Sequence, residues 1–149
     1  MLRPWPHSLP KAIGCNAAAE PERFRYAEPE VLVWRQRELA AILTDPEQPV
    51  FLAEQEGRAA GALRLAARVS PGTPATLPRR FLVVQELVVR EPLQRSGVGR
   101  ALLEQAHLWA SAHGIREIEL NVFAFNAAAL AFYAAMGYTV VQQRLSRTV

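Results

Sequence analysis

Apolar residues change their spacing several times along the chain, and each change marks an element. Across residues 29–44, Val31, Leu32, Trp34, Leu39, Ile42 and Leu43 recur at near-helical intervals among Arg35, Arg37 and Glu38. Asp45-Pro46 closes the run, so an amphipathic helix is predicted. Residues 50–53 and 59–67 flank Glu56-Gly57-Arg58, the pattern of two strands joined by a tight glycine turn. Three prolines and a glycine make 70–78 a loop. Residues 81–89 are a nearly unbroken aliphatic and β-branched run, which predicts a central strand covered on both faces.

Pro92 ends that strand, and residues 97–113 predict a helix that buries Val98, Ala101, Leu102, Leu108, Trp109 and Ala112 and stops at Gly114. In 115–122, Ile118, Leu120 and Val122 alternate with Glu117, Glu119 and Asn121, a strand with one wetter face. A helix over 126–136, starting at Asn126 and stopping at Gly137, and strands from Tyr138 onward complete the chain. The first 27 residues carry Pro4, Pro6, Pro10 and Pro21 and predict only a short strand around Leu2. Strands and helices thus interleave through one α/β domain with a mixed sheet, without repeats.

Composition narrows the possibilities. At 149 residues, a single domain buries enough surface to need neither a disulfide nor a structural metal. A lone cysteine, Cys15, excludes a disulfide framework and a thiolate zinc cluster and makes a reducing compartment the simpler expectation. The N-terminus lacks the apolar core of a signal peptide, so a cytoplasmic location is expected. Residues 122–141 carry no charge, but Asn126 and Gly137 cut the stretch to about half a bilayer span, and no membrane role is expected. A net charge of +3 is too small to define a nucleic-acid groove. Yet 16 of the 17 basic residues are Arg, whose planar fork suits phosphate.

The most informative segment runs Glu86-Leu-Val-Val-Arg-Glu-Pro-Leu-Gln94-Arg-Ser-Gly97-Val-Gly99-Arg. A strand enters a proline turn, and Gln94, Gly97 and Gly99 follow with a Q-x-x-G-x-G spacing at a helix start. Free amides and the helix dipole make such a start an anion site, and glycines admit a phosphate close to the backbone. The same glycines also fit a simple turn. Leu102 fills the third position of a dinucleotide fingerprint, and the only lysine, Lys11, is far from any Walker loop, which removes those two motifs.

Leu87-Val-Val with Gln94-x-x-Gly97-x-Gly99 resembles motif A of the GNAT superfamily of acyl-CoA-dependent N-acyltransferases. Leu120-Asn-Val-Phe-Ala-Phe-Asn126, followed by Phe132-Tyr133 and Gly137-Tyr138, is similar to that family's motif B. Pro92 lies one place later than the family's turn proline, and Arg95 stands where Gly is frequent. The resemblance implies a single domain over 1–149 with a three-layer fold. Its mixed, mostly antiparallel central sheet is splayed between the fourth and fifth strands, with helices on both faces. It implies that acetyl-CoA enters the gap, with its pantetheine against Leu87, Val88 and Val89 and contacted by Asn126. The pyrophosphate is then held by the amides of Arg95, Ser96, Gly97, Val98, Gly99 and Arg100, with Gln94 beside them. It further implies an amine acceptor, small molecule or peptide, walled in part by Phe24 and Trp34, and a homodimer formed through the C-terminal strands. No metal is required.

In that family a tyrosine at the position of Tyr133 protonates the departing thiolate, and a phenol is protonated at neutral pH and able to do so. The alternative is a core aromatic whose hydroxyl bonds the backbone. Glu86 stands inside an apolar strand, where burial raises a carboxyl pKa toward that of a working base. It is a candidate to take the amine's proton through water. Equally, it binds the substrate's ammonium or pairs with an arginine, and an amine arriving neutral needs no base. Amides near Val88 or Val89 are the expected oxyanion donors. Arg79 and Arg80 read as a solvated strand end or as partners of an acidic substrate or of CoA's phosphates, and His113 as a helix-dipole partner. A non-catalytic acyl-CoA-binding module of the same fold is the alternative function. The acceptor stays open among protein termini, lysines, polyamines, antibiotic amines and small metabolites.

Overall fold

A computed structural model describes residues 41–149. The expected strand at Leu2, most of the 29–44 helix, and Cys15, Phe24 and Trp34 lie outside the described residues; of that helix, Ala41 and Ile42 are helical and Thr44 turns the chain through its amide on the Ala41 carbonyl at 3.3 Å. The strands β1 (Val50–Gln55) and β2 (Arg58–Ser70) form the expected hairpin. Glu56 and Gly57 turn it with φ of 52° and 71°, the primed geometry that matches strand twist. After the 71–78 loop, β3 (Arg79–Val89) pairs antiparallel with β2 along its length. A 3₁₀ turn (Glu91–Leu93) leads to α1 (Val98–Ala112), then β4 (Ile118–Leu120) and α2 (Ala127–Ala135). The sheet order is β1-β2-β3-β4, with β4 parallel to β3.

One face of the sheet carries Leu63, Leu65 and Ala67 of β2, paired with Leu87, Val84 and Leu82 of β3. They meet Leu102, Leu103, Ala106 and Ala110 of α1, and Ala129 and Tyr133 of α2, in one core. The leucines at 63, 65, 82, 87 and 103 are fully buried, each contributing about 1.5–3 kcal/mol over an exposed side chain. The sequence pattern misplaced the phase of α1: Ala101, Leu108 and Ala112 are exposed, whereas Leu103, Ala106 and Ala110 are buried. Small Ala106 and Ala110 let the helix approach the sheet closely, and this fixes the buried stripe.

Both helices end as their glycines predict. In α1, Gly114 (φ 67°) donates to Ser111 and Ile115 to Ala110; in α2, Gly137 (φ 87°) donates to Ala134 and Tyr138 to Tyr133. These are paired Schellman bonds. The first of them corrects the expected 115–122 strand. Ile115 is buried as the apolar partner of the α1 cap, so pairing begins at Ile118 and covers three residues. The strands expected from Tyr138 onward are also absent: residues 139–149 are exposed and unpaired, and Val140-Val141-Gln142-Gln143 offers no period of two with which to lie on a sheet. Among the described residues no helix is long and apolar enough to cross a membrane.

Arg79 clamps the start of β3 to β4, donating from Nη1 to Glu117 at 2.7 Å and to Glu119, with its guanidinium 4.2 Å over the Phe81 ring. Arg80 pairs with Glu47 at 2.7 Å. Both arginines are thus engaged at the end of β3 remote from Val89, roughly 30 Å away along the strand. Gly61 opposes Val89, and a Cβ there would lie 2.6 Å from the Val88 carbonyl oxygen and 3.1 Å from Leu102 and Val98. Gly61→Ala is expected to lower stability by about 1–3 kcal/mol in urea unfolding; a variant as stable as the parent would show that β2 and the head of α1 can move apart there.

Candidate active site

The site begins where β3 loses its neighbour. Pairing with β4 runs from Leu82 to Val84, and β3 continues to Val89 with no strand on that edge among the described residues. Its backbone groups there need other partners. Arg90 donates its N–H to Ala60 on β2, so alternation turns the amide of Val89 toward the open edge. The Val89 carbonyl already accepts from Gln94 Nε2 at 3.3 Å, so Gln94 braces the loop against the strand.

The pairing Arg64↔Glu86 followed by Leu65↔Val84 leaves Gln85 as an extra residue on β3. This bulge shifts the alternation, so that Leu82, Val84, Leu87 and Val89 are buried while Gln85 and Glu86 are both exposed. The expectation of a buried Glu86 is therefore corrected: its side chain is 51% exposed and its Oε2 lies 3.4 Å from Arg64 Nε. Of the alternatives open for Glu86, pairing with an arginine is the one present. Two adjacent polar residues inside an apolar run were the signal of the bulge.

Beyond β3 the chain adopts left-handed backbone at Arg95 (φ 64°) and Gly97 (φ 92°). Ser96 Oγ donates to the Leu93 carbonyl at 2.6 Å and holds the turn. Gly97 is the N-cap of α1 and carries no capping side chain. The first helical bond runs from Ala101 to Gly97, so the amides of Val98, Gly99 and Arg100 precede it and carry no helical partner. Open space surrounds the place of a Gly97 Cβ. At Gly99, a Cβ would stand 3.5 Å from Phe132 and 3.6 Å from Val89, ordinary contact distances. Packing therefore does not demand a glycine at 99, whereas close approach of an anion to the first turn does. Arg95 and Arg100 are exposed and make no ion pair among the described residues, while Arg90 donates to the Ala59 carbonyl at 3.3 Å. A pyrophosphate fits this loop.

Asn126 caps α2, its Oδ1 accepting from Ala129 N–H at 3.0 Å. Two turns on, Tyr133 is 7% exposed, edge-on to Phe132 (5.1 Å) and to Tyr138 (5.8 Å). Its hydroxyl makes no hydrogen bond among the described residues, and burial pushes its pKa up. Tyr138 donates to or accepts from His107 Nε2 at 3.1 Å, and burial, with Tyr133 nearby, pushes its pKa up to about 12. Phe123 and Phe125, in the loop between β4 and Asn126, stack with ring centroids 5.1 Å apart and are partly exposed. The sequence reading missed this pair and the contact between His107 and Tyr138; only the F-x-F spacing hinted at the former.

A mixed sheet that opens at one end beside a helix start without a side-chain cap defines an α/β protein. The sequence model of the acetyltransferase (GNAT) family matches residues 15–138, and the chain belongs to that family, whose members are acyl-CoA-dependent N-acetyltransferases. It is similar to the L-ornithine N5-acetyltransferase NATA1 of Arabidopsis thaliana, 32% identical over 78 residues. That match takes in 52% of this chain and only 34% of the relative's length. In structure it is similar to the BH1408 protein of Bacillus halodurans (22% identity, TM-score 0.82, 89% of this chain and 84% of that one). It also resembles the aminoglycoside N-acetyltransferase AAC(6')-Iy in complex with CoA (17% identity, TM-score 0.64, 85% and 96%). At these identities the two structures share the fold.

Two measurements check the geometry. Gly99→Ala is expected to keep its melting temperature within a few degrees but to need on the order of tenfold more CoA for the same stabilisation, the loss of one close phosphate contact. Tyr138 is expected to ionise near pH 12 by tyrosinate absorbance. Because the native state then holds a proton that the unfolded chain releases above pH 10, stability should fall as pH rises from 10 toward 12.

Proposed function

We propose that this chain is an N-acetyltransferase that moves the acetyl group of acetyl-CoA directly onto a primary amine of a small molecule or protein. The observation that carries the reading is buried Tyr133, whose hydroxyl makes no hydrogen bond among the described residues and which shares one core with Val84 and Leu87 of β3. Buried polar groups without partners are rare and mark functional positions. When bound, acetyl-CoA supplies an acetyl group activated as a thioester.

This chain's residues do the rest. The amides from Val98 to Arg100, with the neighbouring backbone of Arg95, Ser96 and Gly97, hold the pyrophosphate, and the edge of β3 from Leu87 to Val89 takes the pantetheine amides as an added strand would. Asn126 has Nδ2 left for the same arm once Oδ1 caps α2. The Val89 amide, turned to the open edge, donates to the developing oxyanion. Tyr133, protonated at neutral pH, gives its proton to the thiolate. Glu86, at the bulge and in reach of solvent, receives the amine's proton through water.

Acetyl-CoA is expected to raise the melting temperature, and free thiol should appear when an amine panel is supplied. Tyr133→Phe should lower turnover on the order of a hundredfold where chemistry limits the rate, with the KM for acetyl-CoA kept. Stabilisation by CoA with no thiol released from any amine would instead make the chain a binding module.

A further inference from the structure

The helix α1 supplies the first-turn amides and α2 carries Tyr133, and within their shared core two contacts tie these helices together. Near the head of α1, a Cβ at Gly99 would stand 3.5 Å from Phe132, so the Phe132 ring lies over the first turn. Further along α1, His107 Nε2 lies 3.1 Å from the Tyr138 hydroxyl, with ring centroids 5.9 Å apart. Positions 99 and 107 are about two turns, or roughly 12 Å, apart on the helix axis. The contacts differ in kind. Packing of the Phe132 ring is apolar and tolerates a turn of α2 about its own axis, whereas a hydrogen bond weakens steeply away from its preferred geometry. The Tyr138 hydroxyl therefore sets how far α2 is turned against α1.

Tyr138 passes that setting to Tyr133 in two ways. Its N–H donates to the Tyr133 carbonyl at 3.0 Å, and its ring stands edge-on to the Tyr133 ring with centroids 5.8 Å apart. Tyr133 is buried and its hydroxyl makes no hydrogen bond among the described residues, so packing alone directs its ring, between Phe132 at 5.1 Å and Tyr138. A hydroxyl of this kind is aimed only by what holds its ring. A phenylalanine at 138 would make the same ring contacts without bringing a phenol and an imidazole into a half-buried place. What the polar pair adds is direction, since a satisfied buried pair specifies one arrangement where apolar packing allows several.

We propose that Tyr138, held by His107, is a positioning residue for the acetyl transfer: by fixing the turn of α2 against α1 it sets the direction of the Tyr133 hydroxyl relative to the amides that start α1. This rests on the reading of Tyr133 as the proton donor. Thiol release from acetyl-CoA by the purified full-length chain would be followed with propylamine, 2-phenylethylamine and spermidine, where chemistry limits the rate. Tyr138→Phe should lower kcat about tenfold, the cost of a slight misplacement of the donor, with the KM for acetyl-CoA and the CoA-induced rise in melting temperature kept. His107→Leu should do the same from the other helix, and His107→Gln, whose amide still bonds a phenol, should recover most of kcat. The losses of Tyr138→Phe and His107→Leu should not add when combined. In a Tyr133→Phe background, Tyr138→Phe should cost nothing further, because no donor is left to aim; a purely structural role would keep its full cost there. Should Tyr138→Phe fail to fold, His107→Leu carries the same comparison. A loss that persists in full in the Tyr133→Phe background, a loss taken through the KM for acetyl-CoA, or parental kcat in both Tyr138→Phe and His107→Leu overturns this proposal alone. Parental turnover in Tyr133→Phe, or no thiol released with any of the three amines, overturns the reading of Tyr133 and this proposal with it.

Discussion

The rest of the site depends on the mismatch between β3, eleven residues long, and β4, which is three. Among the described residues, a parallel partner that stops at Leu120 leaves the edge of β3 from Gln85 to Val89 without a ladder, and buried backbone does not stay unpaired. The mismatch has a local cause. Gly114 ends α1 in a Schellman turn that spends Ile115 as a buried plug, so β4 starts late, and the Phe123 turn toward Asn126 ends it early. At the other end, Arg79 holds Glu117 and Glu119 of the neighbouring segment. Such exposed pairs stabilise little individually, but this one lies where the strands are together and leaves their divergence confined to one end.

The two helices that flank the opening start in opposite ways. Asn126 closes α2 by accepting from Ala129, whereas Gly97 begins α1 in left-handed backbone with no side chain to reach the first-turn amides. At the positive φ of position 97 a serine or aspartate would be strained, so the glycine that permits the left-handed turn also leaves those amides without a side-chain cap. Side-chain capping is thus absent at α1 and present at α2. The open start belongs to the helix nearer the end of β3, braced there by Gln94 on Val89 and Ser96 on Leu93. Gly61 completes the arrangement by letting the head of α1 and the end of β3 pack without a methyl between them.

Features set by local chemistry were legible in the sequence. The Glu56-Gly57 hairpin, the Asn126 cap, the stops at Gly114 and Gly137 and the glycine turn at Gly97 all follow from single residues whose backbone preferences are strong. What was illegible depended on packing between elements. The phase of α1 is decided by which small residues touch the sheet, and Leu108 looks as apolar as Leu103 until that contact is made. The length of β4 depends on Ile115 being drawn under a helix. The environment of Glu86 depends on a bulge, which converts a carboxylate expected in the interior into one shared with Arg64 near solvent. Gln85-Glu86 carried that information, since two successive polar residues in a run of period two are either an error of pattern or an inserted residue.

The position of Tyr133 shows how helix termination and chemistry are joined in one turn. Tyr138 is the residue that donates its amide to the Tyr133 carbonyl in the α2 Schellman turn, and its ring rests edge-on against Tyr133. The apolar contact that usually accompanies this turn is therefore made by the two tyrosines themselves. His107 on α1 engages the Tyr138 hydroxyl at 3.1 Å, committing that group away from Tyr133. A phenylalanine at 138 would keep the ring contact but lose the tie to α1. With Tyr138 so engaged and Phe132 presenting only carbon, the nearest aromatic neighbours of Tyr133 bury it without offering its hydroxyl a partner. Burial pushes the Tyr133 pKa up, so the phenol stays protonated at neutral pH, as the proposed donation to a thiolate requires.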